Sequence, residues 1–341
     1  MSGPRYDRFS DPAVLRRLLV AAHRRAHEAR MTTARFAREV REGARLGVAS
    51  LRLPPVPKPV SSKSGGGKEE VAVAILSDWQ LGKKTPSYGS AVCEKRMARY
   101  AEKVVHLTRI QRAHHPVKRL HVWCLGDFVE GEMIFAGQQW LIDSSLNDQA
   151  IVNGPRILVN LIRRWLREFE SIRVVCVPGN HGFIAGRNRR EMHPETNADR
   201  MLYQVAQQLL HDEPRVSWRI AGGILEGGWY AVDDIGGHRT LLFHGDQIQG
   251  GLTTENHVKK LVLGWQTGAI KGGFDDAYLG HFHVIKRFSF GSTIVRVAGS
   301  PESDNAYAVR ALGSVSRASQ PLQFVVPGKG VSCSYDVWLD D

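Results

Sequence analysis

The sequence predicts an α/β protein of stacked sheets covered by helices, and three observations predict it. After Val71, short β-rich apolar runs (VAVAIL, LHVWCL, RVVCV) alternate with amphipathic helical stripes. Beyond residue 218 strand candidates dominate: WYAVDD, TLLFH, AYLG, TIVRVAG, LQFVV and CSYDVWL. The composition, 43% hydrophobic and 23% charged, is that of a soluble globular protein able to bury a core. At 341 residues the chain has room for one large domain plus an appendage.

The elements follow in order. Asp11 before Pro12 reads as a helix start, and Leu15, Leu18, Leu19 and Ala22 then recur at helical spacing. Arg16, Arg17, Arg24, Arg25, Arg30, Arg35, Arg38, Arg41 and Arg45 run through this helix and a second one ending near Gly47. Residues 1–53 therefore form a basic helical appendage. Residues 54–70, PPVPKPVSSKSGGGKEE, join a stiff Pro-rich half to a flexible Ser/Gly half and read as a linker to a domain spanning 71–341. Ile157, Leu158, Leu161, Ile162, Trp165, Leu166 and Phe169 form one helical stripe; Met201, Leu202, Val205, Leu209 and Leu210 form another.

Charge is unevenly placed. The chain carries a net +12, and residues 1–70 hold 15 Lys or Arg against 7 Asp or Glu, leaving an excess of only four for the rest. Such asymmetry suits a polyanionic partner such as nucleic acid. A solvated helix face, a DNA-contacting arm and a degenerate helix-turn-helix all remain open for the appendage. No apolar run is long enough to cross a bilayer, so the expectation is a cytoplasmic protein without a membrane partner. A mitochondrial transit peptide is opposed by Glu28, Glu39, Glu42 and the scarcity of Ser. Cys93, Cys124, Cys176 and Cys333 are widely spaced and read as buried reduced thiols, with no CxxC pair to hold zinc.

Polar residues able to bind metal occur five times, each just after a strand candidate: Asp78 and Gln80 in AILSDWQLG, Asp127 in CLGDFVEGE, Asn180 and His181 in CVPGNHG, His244 in LLFHGDQ, and His281 and His283 in YLGHFHV. The C-terminal ends of strands are where α/β proteins place their sites, because the loops converge there on a rigid sheet. Any one of these residues alone reads as a turn, a cap or a satisfied core histidine. Four histidines with two carboxylates, all at strand ends, exceed that explanation.

The order D-x-H, G-D, G-N-H, H-G, G-H-x-H resembles the signature of calcineurin-like metallophosphoesterases over residues 78–283, with Gln80 in place of the first histidine. The resemblance implies a four-layer αββα sandwich of two mixed sheets flanked by helices. It further implies that Asp78, Gln80, Asp127 and His283 surround one metal ion, and Asp127, Asn180, His244 and His281 a second, with Asp127 bridging. His281 and His283 flank one residue, so on a strand end they would point the same way. Mn²⁺ is favoured by the mixed O and N donors, with Mg²⁺, Fe²⁺ or Zn²⁺ open, and the neutral amide of Gln80 would weaken its site toward softer metals. In such a centre a metal-activated water attacks phosphorus and His181 protonates the leaving oxygen, a task that suits an imidazole.

The layout is similar to the DNA-repair exonucleases of the Mre11/SbcD type, including bacteriophage versions, and GDFVEGE lacks the arginine of the phosphoprotein phosphatases. That implies a nuclease acting on DNA ahead of RNA, with a homodimer or an ATPase as partner. Arg187, Arg189 and Arg190 in FIAGRNRRE could hold flanking phosphates, or could be a solvated loop. Two other functions stay open: hydrolysis of small phosphate esters such as cyclic nucleotides or dinucleotide polyphosphates, and a metal-poor binding scaffold.

Overall fold

The computed structural model describes residues 53–59, 65–184, 195–222, 228–248, 255–303 and 316–340, with Arg16, Leu19, Val20, Ala21, His23, Arg24, Arg35, Arg38 and His193. Arg187, Arg189 and Arg190, and the predicted helix start at Asp11, lie outside these residues. The described residues of the N-terminal segment are helical, as their spacing predicts, with Leu19 and Val20 exposed.

Two mixed sheets stack face to face, and helices cover both outer faces. The first sheet runs β11-β10-β1-β2-β3-β4, from Gly330–Trp338, Ser319–Val326, Glu70–Leu76, Val117–Cys124, Ser171–Cys176 and Val216–Ile220. Strands β1 to β4 are parallel, while β10 and β11 are antiparallel additions. The second sheet runs β5-β6-β7-β9-β8, from Tyr230–Ile235, His238–Phe243, Asp276–Leu279, Thr293–Val297 and Lys286–Phe290, with β6, β7 and β9 parallel. Helices α1 (Ser90–Arg112), α2 (Gly154–Trp165) and α3 (Ala198–Leu209) pack on the first sheet, and α4 (Glu255–Gly264) on the second.

Strand β1 shows why. All seven of its residues are buried: Ala72, Ala74 and Leu76 face the helices, while Val71, Val73 and Ile75 face the second sheet. A strand covered on both sides gains nothing from alternation, which is why VAVAIL is a continuous apolar run. The two strands that periodicity does not reveal, β4 and β8, are edge strands with half-exposed patterns. Helix α1 is also hidden, because its N-terminus has no side-chain cap of its own and the Asp143 carboxylate accepts the Ser90 N–H instead, at 2.7 Å. Cys93, Cys124 and Cys176 are buried, and Cys333, on the inward-facing side of edge strand β11, is half-buried against the core.

A buried polar pin joins the two sheets. Asp233 of β5 is fully buried and accepts from His121 Nδ1 at 2.6 Å, Trp123 Nε1 at 2.8 Å and Arg173 Nε at 2.9 Å, all three from the first sheet. The described parts of the Pro- and Gly-rich segment are docked. Val56 packs on the core, Arg163 and Arg215 donate to the Pro54 and Val56 carbonyls, and Gly65 and Gly67 N–H donate to the Arg112 and His114 carbonyls. No described helix is long and apolar enough to cross a membrane.

Candidate metal centre

The parallel strands β1, β2 and β3 of one sheet and β6 and β7 of the other end on the same side of the sandwich, and each delivers one of the five motifs. The ladder continues past the strands: Asp78 N–H donates to Gly126 O at 3.1 Å, Gln80 N–H to Asp127 O at 3.0 Å, and Gly280 N–H to His244 O at 2.8 Å. The approach is close enough that a side chain on Gly179 would overlap the Asp127 carboxylate, and one on Gly280 would overlap Ser77 and Asp78.

Asp78, Gln80, Asp127, His281 and His283 have φ between 46° and 71°, and they are the non-glycine residues with positive φ among those described. Left-handed backbone at such residues costs on the order of 1–3 kcal/mol each and persists only where the surroundings over-determine it. All five are predicted ligands. The left-handed turn aims each side chain back across the strand ends instead of letting it follow the chain.

His244 is the centre of the first cluster. Its Nδ1 lies 2.8 Å from the Leu125 carbonyl, which can only accept, so Nδ1 carries the hydrogen and Nε2 faces the site. Around that Nε2 stand Asp127 Oδ2 at 3.0 Å, Asn180 Oδ1 at 3.1 Å and His281 Nδ1 at 3.1 Å. The donor atoms of Asp127, His244 and His281 all lie within 4.8 Å of one another. Lone pairs converging on one point are what a divalent cation requires. Burial would depress His244, but the Asp127 carboxylate outweighs it and pushes the imidazole up to about 10, while burial and the charge of His244 push His281 down to about 4. Asp127 is held far below the usual carboxylate range, burial being outweighed by His244 and His181.

The second cluster centres on Asp78. His283 Nε2 lies 3.3 Å from Asp78 Oδ1, and the His281 backbone N–H donates to both Asp78 oxygens at 3.0 Å. Gln80 Nε2 is 3.3 Å from Asp127 Oδ2, and its Oε1 is buried without a hydrogen-bond partner. An orphaned buried amide oxygen is a cost unless something electropositive meets it, so the donor set fits a cation here too. His281 and His283 divide between the two clusters. The strand ends at Leu279, and in the loop beyond it one ring leans on His244 and the other on Asp78.

Four residues that motif reading left without a role complete the site. Glu302 accepts from His283 Nδ1 at 2.9 Å and pairs with Lys83 Nζ at 2.6 Å, the kind of carboxylate support that would fix a histidine for ligation. Burial works against this charge, but His283 and Lys83 hold Glu302 well below the usual carboxylate range. Like the ligands, Glu302 follows a strand, β9. Asp199, buried in the first turn of α3, accepts the backbone N–H groups of Asp127, Phe128, Val129 and Gly179 at 2.8–3.1 Å, which ties the second and third motif loops together. Burial and Asp127 push its carboxyl up to about 6 against the Gly179 and Val129 N–H groups. Asn197 caps α3 through the Asp199 and Arg200 N–H groups and donates to the Gly179 carbonyl.

His181 sits beside this centre. Its backbone N–H donates to Asp127 Oδ1 at 2.7 Å, its Nδ1 lies 2.7 Å from the Glu130 carbonyl and 3.5 Å from Glu130 Oε2, and its Nε2 is 4.0 Å from Asp127 Oδ2. Glu130 supplies the orientation that Gly182, the residue after His181, cannot. Glu130 is itself clamped by Gln138, whose Nε2 donates to the Glu130 carbonyl and carboxylate at 2.8 and 3.0 Å.

No family model matches the chain, and no curated protein does. Solved structures do match. They include an archaeal phosphodiesterase at 10% identity, covering 79% of this chain and 99% of that one with a TM-score of 0.35. A predicted phosphoesterase from Streptococcus pneumoniae TIGR4 matches at 14% identity over 80% and 99% of the two chains, TM-score 0.31. Vps29 from Entamoeba histolytica, complexed with zinc, matches at 12% identity over 78% and 98%, TM-score 0.34. Likeness at this level carries no weight for the activity, which rests on the side chains described above.

Proposed function

We propose that this chain is a two-metal phosphodiesterase whose substrate is a nucleic-acid backbone, DNA ahead of RNA. The observation that carries the reading is the convergence of Asp78, Gln80, Asp127, Asn180, His244, His281 and His283 from five strand ends, with five of these seven in strained left-handed backbone. Asp78, Gln80, Asp127 and His283 would hold one cation and Asp127, Asn180, His244 and His281 the other, Asp127 serving both. When bound, such a pair supplies an activated water as the attacking group and neutralises charge gathering on the phosphate oxygens.

The chain's own residues do the rest. Asp127 Oδ1 and the Glu130 carbonyl fix both the backbone and the ring of His181. Because the carbonyl claims Nδ1–H, Nε2 is the ring nitrogen from which a leaving oxygen would take its proton. Lys83, through Glu302, keeps His283 turned toward Asp78. The polymer reading draws on the net charge of +12 and its concentration in the first 70 residues.

Hydrolysis of bis(p-nitrophenyl) phosphate and of end-labelled linear and circular DNA, with Mn²⁺, Mg²⁺ or chelator, tests the proposal. Metal-dependent cleavage of both is expected, and Asp127→Ala should abolish it. Substantial activity in that purified variant would remove the bridging assignment, and cleavage of the small ester alone would remove the nucleic acid.

A further inference from the structure

The chain that leaves Glu130 carries an exposed apolar loop. Met133 is 66% exposed, Phe135 37%, Trp140 80% and Leu141 51%. Trp140 stands out, because a soluble protein rarely leaves an indole in water without a use for it. The loop is also firmly anchored. Gln138 is fully buried at its centre, spending both ends of its amide on the Glu130 carbonyl and carboxylate and on the Ile134 N–H. The far end is tied to the segment after the first motif, Lys84 N–H donating to Leu141 O at 2.9 Å and Asp143 N–H to Gly82 O at 2.7 Å. The exposed aromatics are therefore held on a frame whose two ends are the loops of the metal centre.

We infer that Trp140, on the same anchored loop as Phe135, is a stacking platform for an unpaired base of the nucleic acid whose backbone enters the metal centre. This rests on the phosphodiesterase reading and narrows it to single-stranded or frayed substrate. Three features favour a base over a protein partner. The loop that carries the patch is tied, through Gln138 and Glu130, to His181 of a site built for a phosphodiester. Lys84 is exposed beside Leu141, where it can meet a flanking phosphate. An indole offers a face that accepts every base, and a rigid frame removes the ordering cost of presenting it.

The test uses the full chain, in chelator so that nothing is cleaved, with labelled oligothymidylate and an abasic oligomer of equal length and charge. Wild type should bind the thymidylate more tightly than the abasic strand. Trp140→Ala should lose on the order of tenfold to a hundredfold in affinity for thymidylate but not for the abasic strand, and Trp140→Phe should recover most of the loss. The salt dependence of binding should be the same in all three, because phosphate contacts are untouched. Truncating a side chain this exposed opens no cavity, and an unchanged unfolding midpoint confirms that. Equal affinity of wild type for both strands, or an equal loss on both, would overturn the inference. So would a Trp140→Ala variant whose only change in sedimentation velocity is loss of self-association, which would give the patch to a second copy of the chain. Mn²⁺-dependent hydrolysis of the small ester by wild type, measured in parallel, keeps failure here separate from failure of the phosphodiesterase reading.

Discussion

Asp233→Ala should destabilise the fold by ~3–5 kcal/mol at pH 7, the scale expected when one partner of a buried charged cluster is removed. The magnitude follows from what is left behind. The Trp123 indole N–H is fully buried and loses its acceptor, and the His121 ring, nearly as buried, loses its own. Each orphan costs ~1–3 kcal/mol. Arg173 adds little, because its side chain is 40% exposed and water can replace the carboxylate. Asp233→Asn keeps one oxygen and should lose less. The consequence reaches the metal centre, because this pin joins the sheet bearing Asp78, Gln80, Asp127 and Asn180 to the sheet bearing the three histidines. Burial would raise the Asp233 carboxyl, but the bonds from His121 and Trp123 and the charge of Arg173 outweigh it and hold it below the ordinary range. A depressed carboxyl contributes stability that is present above its unfolded value, about 3.9, and is lost as pH falls through the folded value. Urea unfolding of wild type and both variants at pH 7 and near pH 3 measures this. A difference under ~1 kcal/mol at pH 7, or a gap that widens on acidification, would refute the reasoning, since neither orphaned donor would then cost what burial demands.

Other perturbations probe the centre directly. Gln80→His should tighten Mn²⁺ or Zn²⁺ binding in calorimetry, since it replaces a neutral amide oxygen with imidazole; unchanged stoichiometry and affinity would count against Gln80 as a ligand. Glu302→Gln should weaken metal binding by about 10- to 100-fold while leaving the circular dichroism spectrum intact, and wild-type affinity would mean that His283 needs no such support. Deleting residues 1–52 should weaken DNA binding more than hydrolysis of bis(p-nitrophenyl) phosphate, because Val56 and the Pro54 carbonyl are docked on the domain and the cut spares them. Equal loss of both would make the segment structural.

The sequence by itself determined the layered α/β fold and the seven candidate ligands. Buried parallel strands must be apolar throughout and must end in loops, so VAVAIL, LHVWCL and RVVCV announce both the sheet and the places where Asp78, Asp127 and Asn180 stand. Edge strands β4 and β8 were illegible because half their residues face water, and α1 because its cap arrives from Asp143, 53 residues on. Only the tertiary structure decided that Glu302 braces His283, that Glu130 with Gln138 orients His181, that Asp199 binds two motif loops at once, and that Trp140 stands in solvent beside them. The physical reason is common to all four. Candidacy as a ligand is written in residue type and in position after a strand, which are local, whereas support and exposure depend on which distant loops the two stacked sheets bring together, and spacing along one chain carries no record of that.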